Sequence, residues 1–368
     1  MAVPEAWGRA LARLGAATLG ALEGIETAQR RLHPPLIARL RQGLGVARER
    51  LDEALDAFRA EAPPAALAPF AEQMAAGAGF ALEALRLFVE TGPPASAVAR
   101  VLESFRWHCR AQEALYPLRL AFPPLGGYFV EPAFRARADL LDPDPPRAQA
   151  GLHAAGDASD PQARGGFSLY VPEWLDEVAP RPLVVALHGG SGHGRDFLWT
   201  WLREARGRGF LLLAPTSQGS TWSLDAPARD ARRLASMLEW VCERWPVDRS
   251  RVLLTGLSDG ATFTLLAGLA EDAPYTALAP VSGVLHPAAL GLGGALRARG
   301  RRIHLVHGAL DWLFPVALAQ LARDELARAG ADLVYREIED LSHTHPREEN
   351  DRILSWFDPG LSLPAAPV

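Results

Sequence analysis

At 368 residues the chain exceeds one small domain and suits two, at about 100–200 residues each. Its 49% hydrophobic and 22% charged residues are those of an ordinary globular protein, and a net charge of −5 offers no basic face for nucleic acid. All 38 basic residues are arginine, and the two distant cysteines, Cys109 and Cys242, exclude a disulfide scaffold or a thiolate zinc site.

Near the start, Arg9 and Arg13 interrupt the apolar core that a signal peptide needs, and no apolar run reaches the ~18–20 residues of a membrane span. The expectation is a cytoplasmic protein without a transmembrane segment. Residues 1–122 are rich in Ala, Leu, Arg and Glu and are punctuated by Pro34-Pro35, Pro63-Pro64, Pro93-Pro94 and Pro123-Pro124. Proline fits a helix's first turn and breaks its interior, so each pair closes one helix and opens the next. Apolar residues recur at helical spacing, as in Leu36, Leu40, Leu44 and Leu51, Leu55, Phe58. Four antiparallel helices of roughly 25 residues follow, with a homodimer through them as one expectation. His33 and His108 stand alone here and read as structural.

Residues 123–165 turn to Pro, Asp, Ala and Gly around Asp142-Pro143-Asp144-Pro145-Pro146, which reads as a linker or cover segment, loose from Gly151 to Arg164. From Gly166 short apolar runs alternate with helical stretches. The runs are Phe167–Val171, Leu183–Leu187, Phe210–Ala214, Val252–Thr255, Ala277–Val281, Ile303–Val306 and Leu333–Ile338. Amphipathic segments such as Ala228–Arg244 and Val316–Ala329 lie between them, and Arg347–Phe357 closes the series. The fold class is α/β, a mostly parallel sheet with helices on both faces over residues 166–368, after an all-helical N-terminal region.

Ligands on such sheets bind beyond the carboxyl ends of the strands, and four of those ends carry chemistry. The fourth run ends in Gly256-Leu257-Ser258-Asp259-Gly260 and turns straight into a helix, the strand–turn–helix setting of a nucleophile elbow. Leu183–Leu187 is followed by His188-Gly189-Gly190-Ser191-Gly192-His193-Gly194. There an amide of Gly190, or of its neighbour Ser191, can join that of Asp259 as an oxyanion donor. The glycines also admit a phosphate-cradling reading, but G-x-x-x-x-G-K-[ST] is absent. Asp311 follows Ile303–Val306, and His343 follows Leu333–Ile338. The order Ser258, Asp311, His343 is that of a serine hydrolase triad on this architecture. His345 competes with His343 for the base, and Asp259 is the alternative acid; Asp340 lies too near His343 in sequence. His343-Thr344-His345 with His188, His193 and His307 also admits a metal reading, but the helical or strand spacing of a ligand set is absent, and no metal or cofactor is expected. Ser191, Trp222, Trp312 and Phe314 are candidates to line a substrate pocket, with Trp199 also near a strand end.

The matching residues are Ser168-Leu169-Tyr170-Val171-Pro172, Ala186-Leu187-His188-Gly189-Gly190, Gly256–Gly260, His307-Gly308-Ala309-Leu310-Asp311 and Leu341-Ser342-His343. Through them, Gly165 to about Phe357 resembles the esterase, phospholipase and thioesterase branch of the α/β-hydrolases, including polyhydroxybutyrate-depolymerase-like esterases. The resemblance implies Ser258 as nucleophile, His343 as base, Asp311 as acid and a small-molecule or lipid ester as substrate. Asp259 stands where thioesterase-like relatives often carry Gln, and the loop around His193 is longer and more polar than a simple His-Gly-Gly.

Overall fold

The computed structural model describes residues 4–92, 94–141, 147, 149–156, 163–175, 178–291 and 293–363. The chain divides into two compact units, Met1–Asp139 and Leu140–Val368. Pro93, the run Asp142–Pro146 and residues 157–162 of the expected linker lie outside the described residues.

The first unit is built on helices α1 (Glu5–Arg30), α2 (Ile37–Arg59), α3 (Ala68–Val89) and α4 (Pro94–Leu115), followed by a short α5 (Pro123–Tyr128). Pro34-Pro35 and Pro123-Pro124 fall at helix starts, where the missing N–H costs nothing. On α1 the buried residues Leu14, Thr18, Leu22 and Ile25 recur at the three- and four-residue steps that keep one stripe inward. Trp7, at the start of α1, meets Phe58, at the end of α2, with ring centroids 5.8 Å apart. Arg41 donates to Phe88 O at 3.1 Å and Gln73 to Ala114 O at 2.7 Å, so α2/α3 and α3/α4 also run antiparallel.

The unit does not stop at residue 122. Leu125, Tyr128 and Phe129 are buried, Tyr128 donates to Glu26 Oε1 at 2.7 Å, and Phe129 packs edge-on to Tyr116. Prolines and glycines mark this stretch as a linker by composition. Its aromatic residues nevertheless supply apolar surface that the helices bury.

The second unit holds an eight-stranded sheet of β1 (Gly151–Ala155), β2 (Phe167–Val171), β3 (Arg181–Leu187), β4 (Leu211–Pro215), β5 (Val247–Leu257), β6 (Ala277–Val281), β7 (Arg302–Gly308) and β8 (Asp332–Ile338). Its spatial order is β1-β2-β4-β3-β5-β6-β7-β8. β2 pairs antiparallel with both β1 and β4, and the pairings from β4 through β3, β5, β6 and β7 to β8 are parallel. The crossovers carry α6 (Gly194–Phe197), α7 (Leu202–Arg208), α8 (Ala228–Cys242), α9 (Asp259–Gly268), α10 (Pro287–Leu290), α11 (Gly294–Ala298) and α12 (Val316–Arg328), and α13 (Glu349–Phe357) follows β8.

Leu183, Val185 and Leu187 of β3 join Leu234, Leu238 and Val241 of α8 and Phe263 and Leu266 of α9 in one core. The intervening Val184 and Ala186 are equally buried, so both faces are covered, as a parallel sheet requires. On the α7–α13 side, Asn350 donates to Thr200 O and Glu204 Oε1, each at 3.0 Å. β1, expected as loose chain, is an edge strand. Among the described residues no helix is long and apolar enough to cross a membrane.

Candidate active site

β5 ends at Leu257 and α9 begins at Asp259, which leaves Ser258 alone to make the turn. Its φ of 57° and ψ of −119° are a conformation that costs a non-glycine residue about 1–3 kcal/mol, held here by the strand before and the helix after. Flanking glycines are demanded by contact. A Cβ on Gly256 would lie 2.5 Å from the Gly260 carbonyl, and one on Gly260 would lie 2.5 Å from the carbonyl oxygens of Leu187 and His188. Ser258 N–H donates to Val281 O at 3.0 Å, anchoring the turn to β6.

The loops after β7 and β8 bring two more side chains to this turn. Ser258 Oγ lies 2.9 Å from His343 Nε2, and His343 Nδ1 lies 2.8 Å from Asp311 Oδ2. The Asp311 carboxylate also accepts from the amides of Leu313 at 2.9 Å and Phe314 at 2.8 Å. Burial pushes its pKa up. Hydrogen bonds from His343 and Phe314, with the charge effects of His343 and His307, outweigh that and hold it below the ordinary carboxylate value. An ionised Asp311 requires a proton on His343 Nδ1, so Nε2 faces Ser258 as an acceptor. Phe314 sets its edge against His343, with ring centroids 5.2 Å apart.

His345 is elsewhere. It is buried, its Nε2 donates to Asn350 Oδ1 at 2.8 Å, and Phe197 and Trp201 pack against its ring. Burial pushes its pKa down to about 4. Of the two rival histidines, geometry sets His343 beside Ser258 and gives His345 to the α7–α13 packing. Asp340 is exposed in the turn after β8, away from the role of acid.

In the loop after β3, Ser191 N–H donates to Ser220 O at 2.7 Å, so of the two candidate amides that of Ser191 is already engaged. Asp259 opens α9, so its N–H is one that the helix cannot satisfy internally. Its carboxylate accepts from Thr221 Oγ1 at 2.6 Å and does not contact His343 among the bonds described. His188, also in this loop, accepts from Ser217 N–H at Nε2 and donates from Nδ1 to Gly189 O. His193 Nδ1 accepts from Arg195 N–H and caps α6. Among the described residues no group of three or more His, Cys, Asp or Glu is placed to hold a metal ion.

Of the residues considered for a pocket wall, Trp222 is 3% exposed, stacks on Phe263 and donates to His188 O at 2.8 Å. It belongs to the core beneath the loop, because its indole N–H finds its partner inside. Trp199 is likewise buried, whereas Trp312 is 48% exposed and Ser191 lies at the surface. An open depression of about 340 Å³ past β6, lined by Val284, Leu285, His286, Leu318, Leu321 and Glu325, was not foreseen. Nor were Thr221 and Arg164, whose guanidinium donates to Gly192 O at 2.7 Å and to Ser217 O at 3.2 Å.

Residues 230–358 match the phospholipase/carboxylesterase family. Acetylxylan esterase A of Emericella nidulans is 28% identical over 145 residues, 36% of this chain and 46% of that protein. The Aspergillus awamori acetylxylan esterase A is 29% identical over 127 residues, 31% of this chain and 40% of that protein. The chain thus spans less than half the length of these relatives. Among solved structures, a thermophilic esterase from Thermogutta terrifontis aligns over 60% of this chain and 97% of its own at 16% identity, with a TM-score of 0.46. The family match lies within the second unit, on the mostly parallel, helix-covered sheet of an α/β-hydrolase fold.

Proposed function

We propose that this protein hydrolyses carboxylic esters through a Ser258–His343–Asp311 triad and an acyl-enzyme. The observation that carries the proposal is one imidazole bridging Ser258 Oγ at 2.9 Å and Asp311 Oδ2 at 2.8 Å. In this reading His343 Nε2 takes the hydroxyl proton as Ser258 Oγ bonds to the ester carbonyl carbon. Asp311 holds the ring in that tautomer and stabilises the imidazolium. The carbonyl oxygen, now an oxyanion, receives the amides of Gly190 and Asp259, each worth about 3–4 kcal/mol if well placed. Collapse expels the alcohol, which takes its proton from His343. A water molecule then gives a proton to the same nitrogen and attacks the acyl carbon, releasing the acid and restoring Ser258.

Turnover of p-nitrophenyl acetate is the direct test. Ser258→Ala is expected to lower kcat by about 10⁴-fold or more, and turnover at the wild-type level by that variant would refute the reading. Because the relatives are named for acetylxylan, an acetylated carbohydrate is the first natural-type ester to set beside it.

A further inference from the structure

We infer that Thr221 is a positioning residue for the proposed oxyanion site, acting through its hydrogen bond to the Asp259 carboxylate. The inference rests on the ester-hydrolase reading above. Its source is the loop after β4, residues 216–222, which joins the two chain segments that would supply the oxyanion donors.

Toward the loop after β3 this connection is made repeatedly. Ser217 N–H donates to His188 Nε2 at 3.1 Å, Trp222 Nε1–H donates to His188 O at 2.8 Å, and Ser220 O accepts from Ser191 N–H at 2.7 Å. Arg164 reinforces it by spanning Gly192 O and Ser217 O. Gly190 is therefore held from both sides of its own position in the chain. Toward the elbow, the bond described from this loop is Thr221 Oγ1–H to Asp259 Oδ2 at 2.6 Å, a short charge-assisted contact.

The carboxylate is wedged. A Cβ on Gly190 would come within 2.7 Å of Asp259 Oδ2, so the carboxylate lies against the Gly190 backbone on one side and the Thr221 hydroxyl on the other. Thr221 thereby fixes where Asp259 sits relative to Gly190, and with it the spacing of the two amides. Oxyanion donors act only when aimed at the position that the charged oxygen will occupy, and a misplacement of about 1 Å can cost 10²-fold in rate. The Thr221 hydroxyl also offsets a negative charge that would otherwise face the oxyanion unpaired.

The test compares Thr221→Val, which keeps the shape and removes the donor, with Thr221→Ser, which keeps the donor. Rates are expressed per site titrated with a fluorophosphonate, so that misfolded protein does not count, and thermal unfolding is followed alongside. Thr221→Val is expected to lower kcat for p-nitrophenyl acetate about tenfold with KM unchanged, and Thr221→Ser to restore it to within twofold of wild type. Wild-type kcat per titrated site in Thr221→Val would overturn the inference. So would an equal loss in Thr221→Val and Thr221→Ser. If Ser258→Ala retains turnover in the same assay, it is the ester-hydrolase reading that fails.

Discussion

At the scale of single residues, the site depends on how each histidine is held. His343 is gripped at both nitrogens, between Ser258 and Asp311, and His345 is gripped by Asn350. Asp311→Asn cannot hold the Nδ1–H tautomer in the same way, so kcat should fall about 10⁴-fold with little change in KM. His343→Ala should be as inactive as Ser258→Ala. By contrast, His345→Gln should leave kcat per folded molecule near wild type and lower the melting temperature, read by calorimetry alongside the ester assay. That Ser258, Asp311 and His343 would meet was legible in the sequence because the proposed chemistry needs fixed residue types, in a fixed order, just past strand ends. Thr221 was not legible. A hydroxyl–carboxylate pair 38 residues apart leaves no spacing or periodicity to notice. The choice between His343 and His345, two residues apart, likewise waited on the direction of each ring.

At the scale of elements, the elbow is a strand and a helix packed so tightly that only glycine fits between them. Gly260→Ala drives a methyl group against two backbone carbonyls that cannot turn aside. That variant should lose ester turnover and fluorophosphonate labelling together, as measured on whatever folded protein it yields. Behind the elbow, Phe263 on α9 is fully buried and stacks on Trp222 at 5.3 Å. Phe263→Ala should cost about 3–5 kcal/mol in denaturant unfolding, the range for emptying a buried aromatic site. The seven strands expected from apolar runs are all present: central ones such as β3, β4 and β6 are buried on both faces and read as nearly continuous apolar residues, whereas β8 is an edge strand that shows through its Leu333-Val334-Tyr335 run. β1 went unrecognised for the opposite reason. It is a five-residue edge strand with alternately half-covered and exposed positions and no β-branched residue. The end of the helical unit was misplaced because prolines at a helix start look, by composition alone, like a linker.

At the scale of the whole molecule, the second unit folds around histidines that it keeps neutral. Burial pushes His188 down to about 3 and His304 and His345 to about 4, from an ordinary value of 6.5. The unfolded chain therefore binds protons that the folded one refuses as the pH drops below about 6.5. Stability carried by these groups is complete above that pH and is lost progressively on the way to pH 4 and below. Asp311, held below its ordinary value, adds to the loss in the same direction. The melting temperature should accordingly fall steeply between pH 6.5 and pH 4, and His345→Gln should show a shallower fall over that interval. A melting temperature independent of pH across it would mean that these histidines are not desolvated as the packing requires.

The central claim is that the hydroxyl at the elbow is the nucleophile. A fluorophosphonate probe followed by peptide mass mapping measures this directly. One adduct per chain on the peptide that contains Ser258, absent in Ser258→Ala and strongly slowed in His343→Ala, is the expected result. An adduct on another residue, or labelling that persists in Ser258→Ala, would contradict it.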